Sequence, residues 1–432
     1  MIGIVGGGLS GLALGLALRE RGVDVVVLEG DERAGGVIRS SQVEGRVLDH
    51  GPQRARLSPE VKALVTQLGL TERILEAPPE LPLYVFRKGR LRAVPFNVPE
   101  FLRSDLLSLR GRARVLLEPV TGGVDDDETV GAFFRRKLGD EAYLALAGPL
   151  FGGLYGSDPD EMYTRHALAE LLAGLGVRRS LLVRYLQGAL SRAGRIPAVT
   201  FVGGMEELPR AMADALGSTL HLDTPVDDLA PRGAGWTIRS GEREWDVERV
   251  VMTTPAGITA RLLEGVAPGV AERIHRLDYN RLALVHLVSE CNLHGWGFQV
   301  ALEEELRTRG VTWNASIFGR DGIYTAFLGD PGPDLGHDAE IARKEFREIT
   351  GCEARVLSVD TAEIPAWNRS WAAVDEPWDL PAGLHLFANW ESRVGIPARI
   401  RKAGALARTL SAEGSSPSSH DLTSSSPGAT RR

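Results

Sequence analysis

Six residues near the start of the chain constrain its fold more than any other feature. Gly6-Gly7-Gly8-Leu9-Ser10-Gly11 has the spacing G-x-G-x-x-G. Residues 2–6 form a short apolar run that reads as a strand. Residues 9–21 carry apolar side chains at helical spacing, and Gly22 is placed to cap them. Residues 23–28 are mostly Val and Leu, the composition of a strand buried on both faces, and Glu29 closes them 18 residues after Gly11. On its own the glycine spacing is a weak signal. Between a strand and a helix, with an acid at the end of the next strand, it specifies a βαβ unit that holds a dinucleotide. Gly6 permits the tight turn, Gly8 lets a pyrophosphate reach the backbone, and Gly11 lets helix and strand pack closely. The helix N-terminus offers free N–H groups and the positive end of a dipole. The carboxylate of Glu29 suits ribose hydroxyls and repels a 2′-phosphate, which argues against NADP.

A second glycine pair follows at once, in Arg33-Ala34-Gly35-Gly36-Val37. A glycine pair so close to the acid favours FAD over NAD, because it lets backbone at Gly36 and Val37 pass near the pyrophosphate and the flavin. Arg33 can offset phosphate charge, and a solvated position is its alternative.

Beyond this unit, residues 57–75 and 98–195 read as mostly helical. Strand patterns return at 199–202, 220–222, 235–239, 249–252, 281–288, 296–300, 311–317 and 323–328. A helix over 338–349 leads to a strand at 354–360. A last strand at 384–388 precedes a helix at 397–410, and the Ser-rich stretch from 411 to 432 reads as a disordered tail. The acids at 125–128 are placed to cap a helix over 128–137 rather than to hold a metal.

Composition removes several classes of function. There are 50 Lys and Arg against 57 Asp and Glu, a net charge of −7, which argues against nucleic acid as the main partner. Cys291 and Cys352 are too few for a disulfide framework or a thiolate zinc site, and nothing demands an oxidising compartment. The histidines lack ligand spacing, so no metal is expected. The longest uncharged stretch near the middle, 143–157, is too short to span a bilayer. A strand beginning at residue 2 leaves no room for a signal peptide, so a cytoplasmic protein is expected.

Further along, an ordered series of segments resembles the flavin amine-oxidase superfamily and, within it, the protoporphyrinogen and coproporphyrinogen oxidases of haem synthesis. The series comprises Asp49-His50-Gly51-Pro52, Phe86-Arg87-Lys88-Gly89-Arg90-Leu91, Asp127-Glu128-Thr129-Val130, Gly152-Gly153-Leu154-Tyr155-Gly156-Ser157, Thr200-Phe201-Val202-Gly203-Gly204-Met205, Gly295-Trp296-Gly297-Phe298 and Ile364-Pro365. The resemblance implies a Rossmann-like FAD-binding domain made discontinuously from 1–75, 198–260 and 380–410. It also implies a mixed-sheet substrate domain from 76–97 and 261–379, and a helical insertion over 98–197 that can touch a membrane. Arg178, Arg179, Arg184, Arg192 and Arg195 could form a basic face for anionic lipid on the inner side of the cell membrane, or an ordinary solvated face. A homodimer is compatible with the resemblance.

By the same resemblance, Gly51 and the backbone of Val226 approach the cofactor. Residues 388–400 return to it through Asn389, Val394, Gly395 and Ile396, the last three at the flavin edge. N–H donors there favour negative charge on a reduced flavin. The implied substrate is a tetrapyrrole, oxidised with O2 as acceptor. Hydride passes to the flavin and no side-chain base is required. Phe298, Phe327, Trp296 and Trp313 are candidates for an apolar slot, each with a core role as the alternative. Ala388 and Arg393 stand where the family has glycine, and Leu83 where some members place a substrate-binding arginine. Arg54, Arg56, Arg87 and Arg393 are the candidates to replace it. Two other readings are an amine oxidase or carotenoid-type desaturase, which would draw on Lys344 or a Trp367–Trp390 pair, and a non-catalytic flavin-binding accessory protein.

Overall fold

The computed structural model describes residues 1–125, 127–174, 176, 177, 179–184, 196–391 and 395–414. Strand β1 (Ile2–Val5) lies in the middle of a five-stranded parallel sheet. It is flanked by β2 (Val25–Leu28) and by β6 (Arg249–Met252), with Leu220–His221 and Leu384–Leu386 at the edges. Every residue of β1 and β2 is buried, as their unbroken apolar runs require of strands covered on both sides. Helix α1 (Leu9–Arg19) packs on one face together with α4 (Glu207–Leu216) and α7 (Ile396–Gly414). A three-stranded antiparallel sheet, Asp228–Arg232, Gly235–Ser240 and Arg243–Val247, covers the other. The two layers lie so close at Gly3 that an added Cβ would sit 2.4 Å from Ile238 Cδ1.

A second sheet has seven strands, in the order Arg355–Pro365, β7 (Tyr279–Val288), Ile323–Gly329, Thr308–Thr312, Gly297–Val300, Leu83–Arg87 and Arg90–Ala93. Its one parallel pair joins Gly297–Val300 to Leu83–Arg87. Helix α6 (Leu335–Thr350) packs against it, started by the Asp334 side chain, which accepts from the N–H groups of Gly336 and His337. The hairpin of β3 (Ser40–Val43) and β4 (Arg46–Asp49) bridges the two bodies.

Between residues 98 and 184 the regular structure of the described chain is short helices joined by irregular segments, apart from one isolated bridge between Thr129 and Tyr163. Two buried cations fix it. Lys137, on α3 (Val130–Leu138), pairs with Glu118 at 2.7 Å and donates to the carbonyls of Gly122 and Arg179. Arg87 pairs with Glu303 at 2.5 Å and Glu141 at 3.2 Å and donates to Leu106 O, which ties the helices to the mixed sheet.

Several expectations are corrected. Within 57–75 the helix is Pro59–Gln67, followed by a single 3-10 turn and the strand Ile74–Glu76. Residues 311–317 are not one strand: pairing ends at Thr312, and Asn314–Phe318 is a short helix that stops at Gly319 in the left-handed conformation. Thr129 caps α3, and the neighbouring acids pair elsewhere, Asp127 with Arg165 and Glu128 with Arg136. The terminal helix runs through Ser411 to Gly414, because Ala403, Ala407 and Leu410 keep an apolar face buried; 415–432 lie outside the described residues. Cys291 and Cys352 join in one disulfide, with Cα atoms 6.1 Å apart, because the end of β7 and the end of α6 meet.

Candidate functional site

At the C-terminal edge of the parallel sheet lies a cavity of about 680 Å³. This is where an open α/β sheet binds ligands, since the βα turns diverge there. Gly6, Gly8, Leu9 and Ser10 line it from the first turn, and Glu29 from the end of β2. Gly36 and Val37 come from the second glycine turn, Val226 from the loop after Leu220–His221, and Asn389, Gly395 and Ile396 from the C-terminal segment. Gly7 and Gly11 serve the turn itself. The Gly7 N–H donates to Glu29 Oε2 at 2.6 Å, and Asp31 N–H donates to Oε1 at 3.0 Å, so the acid is oriented before any ligand arrives. An added Cβ at Gly11 would lie 2.0 Å from Gly6 O, which only glycine avoids. The same holds at Gly51, where a Cβ would sit 1.9 Å from Val37 O and displace the loop.

Arg33 lies over its own turn, donating to the carbonyl of Gly36 at 2.7 Å and more weakly to those of Ala34 and Ile38; it does not line the cavity. Val394 and Arg393 fall outside the described residues, as do Arg178, Arg192 and Arg195. Arg54 and Arg56 line the cavity, whereas Arg87 is held by its two carboxylates elsewhere. Phe298 and Trp313 are buried in the core of the mixed sheet and Phe327 is half-buried; none lines the cavity. The Arg54 guanidinium lies 5.2 Å from the ring centre of Trp296, next to Gly297, whose strand partner is Leu83.

The sequence reasoning drew no site from Thr253, Thr254 and Pro255, which follow β6 and line the cavity with Ile258 and Arg261 of helix α5 (Ala256–Leu263). Thr253 Oγ1 donates to the carbonyls of Val5 and Gly6, pinning the glycine turn. A third parallel strand ending in Thr-Thr-Pro was the available signal. Arg399, on the first turn of α7, also lines the cavity and was missed.

Asp49 and His50 work behind this wall. The Asp49 carboxylate accepts from Ser40 Oγ at 2.6 Å and Met205 N–H at 2.8 Å, and pairs with buried Arg320 at 3.3 Å. Burial pushes its pKa up against the pull of Arg320. His50 Nε2 is 2.6 Å from Ser41 Oγ, its Nδ1 is 2.5 Å from Asp360, and its ring meets His286 edge-on at 5.1 Å. Glu391 accepts the Ala388 N–H at 2.6 Å, and burial pushes its pKa up to about 7 despite that bond and the charges of Arg399 and Lys402.

The lining suits a flavin adenine dinucleotide. The N-termini of α1 and α7 open on one cavity and provide N–H donors and dipole for phosphates and for the polar edge of a flavin. Val37 and Ile258 leave apolar side chains 61% and 42% exposed on the same wall, as a flat ring system requires.

Comparison with known proteins agrees with this geometry. Residues 9–370 match the family described as flavin containing amine oxidoreductase. Protoporphyrinogen oxidase 1 of Spinacia oleracea is 26% identical over 77% of this chain and 67% of that protein. Coproporphyrinogen III oxidase of Mycobacterium leprae is 25% identical over 95% of this chain and 98% of that protein. Among solved structures, one from Exiguobacterium sp. 255-15, provisionally assigned as a protoporphyrinogen oxidase, superposes with a TM-score of 0.76 at 19% identity, covering 95% of this chain and 98% of that one. Cyclohexylamine oxidase of Brevibacterium oxydans gives 0.68 at 17% identity, covering 95% and 99%. At such identities the structures speak for the fold alone.

Proposed function

This chain belongs to the flavin containing amine oxidoreductase family and is an FAD-dependent oxidoreductase, and from that premise we propose that it oxidises a porphyrinogen to the porphyrin, with O2 as final acceptor. The observation that carries the proposal is the likeness to a coproporphyrinogen III oxidase, which runs through nearly the whole length of both chains. The conversion removes six electrons in three two-electron steps. FAD, when bound, supplies the two-electron acceptor. The protein holds it with the Gly6–Gly11 turn, Glu29, the Gly36–Val37 turn and the first turn of α7. N–H donors at the start of α7 would stabilise negative charge at the flavin edge. Pyrrole nitrogens shed their own protons as conjugation grows, so the site needs no strong base; among the described residues the carboxylates that line it are Glu29 and Asp31.

The amine-oxidase reading loses its residues. Lys344 is exposed on α6, and Trp367 and Trp390 are buried in the core, none of them at the cavity. Anaerobic mixing tests the proposal: protoporphyrinogen IX or coproporphyrinogen III should bleach the flavin absorbance while amines leave it. Bleaching by an amine alone would overturn it.

The proposal includes peripheral contact with an anionic membrane on the cytoplasmic side. No helix among the described residues is long and apolar enough to cross one. Leu109 and Val120 are 78% and 75% exposed, Leu102, Leu116 and Leu117 more than half, and Arg103 and Arg110 stand exposed beside them. These residues, on and around α2 (Leu109–Leu116), support an interfacial contact.

A further inference from the structure

Behind the cavity wall stands a pair of tryptophans that the oxidation of a substrate does not use. Trp390 follows Asn389, a residue of the wall. Its fully buried indole donates Nε1–H at 3.0 Å to the carbonyl of Thr254, another residue of the wall. The Trp390 ring meets that of Trp378 edge-on, with centres 6.0 Å apart and planes at 87°. Trp378 is half-buried, so its ring borders water. The pair therefore runs from the cavity wall to the surface. The neighbouring tryptophans lead inward instead. Trp371 is fully buried and donates to Trp390 O at 2.9 Å. Among the described residues its ring meets those of buried Trp367, at 4.8 Å, and Tyr279, at 6.3 Å, and not the ring of Trp390.

A flavin excited by blue light is a strong one-electron oxidant, and indole is among the most readily oxidised side chains. The surroundings of each ring decide where the missing electron is felt. The Trp390 N–H faces a carbonyl, which cannot take up its proton. A hole on Trp390 thus stays a cation radical and keeps its pull on electrons. Water beside Trp378 can accept a proton. The Arg273 guanidinium lies 4.3 Å from the Trp378 ring centre, held there by the carbonyls of Ala373, Glu376 and Pro377. That fixed charge makes a lasting positive charge on the Trp378 ring unfavourable and so favours loss of its proton.

We propose that Trp390 and Trp378 form a two-step route that carries one electron from the surface to the light-excited flavin, a one-electron activity separate from substrate oxidation. The excited flavin gains one electron and Trp390 loses one. Trp378 then gives one electron to Trp390 and its N–H proton to water. The net change is one electron moved from the surface to the cofactor and one proton released to solvent. Return of both restores the pair. The second ring delays that return, and the oxidising equivalent leaves the cavity before it can attack the lining. The route depends on bound FAD and on no particular substrate, so it stands or falls apart from the functional proposal above.

The test uses the FAD-loaded protein under blue light without added reductant, followed by flavin fluorescence and transient absorption. In the wild type the fluorescence should be quenched and the absorbance of a neutral indolyl radical should persist after the flash. Trp390→Phe should raise the fluorescence severalfold and abolish the radical. Trp378→Phe should leave the fluorescence as it is and shorten the charge-separated lifetime severalfold, because the hole then stays on Trp390 and recombines. Trp367→Phe, off the route, should change neither. Where Trp390→Phe fails to fold or to hold FAD, the half-buried Trp378→Phe decides alone. An unchanged lifetime in Trp378→Phe would overturn the route. So would a wild type without the radical, or an equal shortening in Trp367→Phe.

Discussion

His286 shows how one side chain ties stability to pH. It is fully buried on β7, with Nε2 3.1 Å from the Asp49 carbonyl and its ring against His50. Burial, then the nearby His50, pull its pKa down to about 4. The native ring stays neutral to that pH, while the unfolded chain takes up the proton near the ordinary value of 6.5. The unfolded state thus binds more protons between those values, and stability present above about pH 6.5 drains away as pH falls toward 4. The full span corresponds to about 3 kcal/mol. His286→Asn should flatten this acid limb, so that urea unfolding at pH 7.5 and 4.5 gives values closer by about that amount; an unchanged gap would reject the assignment. Single residues were legible in the sequence where geometry leaves one choice, as at Gly11 and Gly51. Arg87 was not, because the carboxylates that hold it, Glu141 and Glu303, lie 54 and 216 positions away.

Among the elements, α3 depends most on one contact. Lys137 and Glu118 are both fully buried. Burial would push the Glu118 carboxyl up, but Lys137, Ser180 and the N–H groups of Leu181 and Leu182 outweigh it and hold the carboxyl below its usual range. Lys137→Met removes one charge and strands the other, at a cost of about 3–5 kcal/mol. Chemical denaturation should show that loss, and adding Glu118→Leu should restore part of it; a single variant within about 1 kcal/mol of wild type would mean water already reaches the pair. Long buried strands and the amphipathic α6 could be read from sequence, because their periodicity is set by one face or by full burial. The hairpins at 40–49 and 83–93 escaped, since Ser-Ser-Gln-Val and Arg-Leu-Arg-Ala carry little strand propensity and are held by pairing with distant neighbours. The capping of α3 by Thr129 instead of the acids beside it turns on Arg136 and Arg165 being in reach, a tertiary fact.

For the molecule as a whole, the exposed apolar face around α2 predicts behaviour at a bilayer. Leu109→Ser with Val120→Ser should lower co-sedimentation with anionic phosphatidylglycerol vesicles at least severalfold, and neutral phosphatidylcholine vesicles should retain little of either protein. Equal sedimentation of variant and wild type would remove the membrane contact from the proposal. The dinucleotide turn at the head of the chain was legible from its glycines between strand and helix, whereas the return near the end came only from the family resemblance, because Ala388 and Arg393 stand where that family has glycine. The third passage at Thr253–Pro255 carries a helix-start signal but no glycine, and its place at the cavity emerged only from the parallel sheet.

That sheet takes its strands from residues 2–5, 25–28, 220–221, 249–252 and 384–386. During translation the turn at Gly8 leaves the ribosome about 380 residues before Asn389. At about 5–20 residues per second that delay is on the order of 20–80 s. Through it the nascent polypeptide carries half a cradle and unpaired strand edges, a state that calls for a chaperone's shelter more than a cofactor's grip.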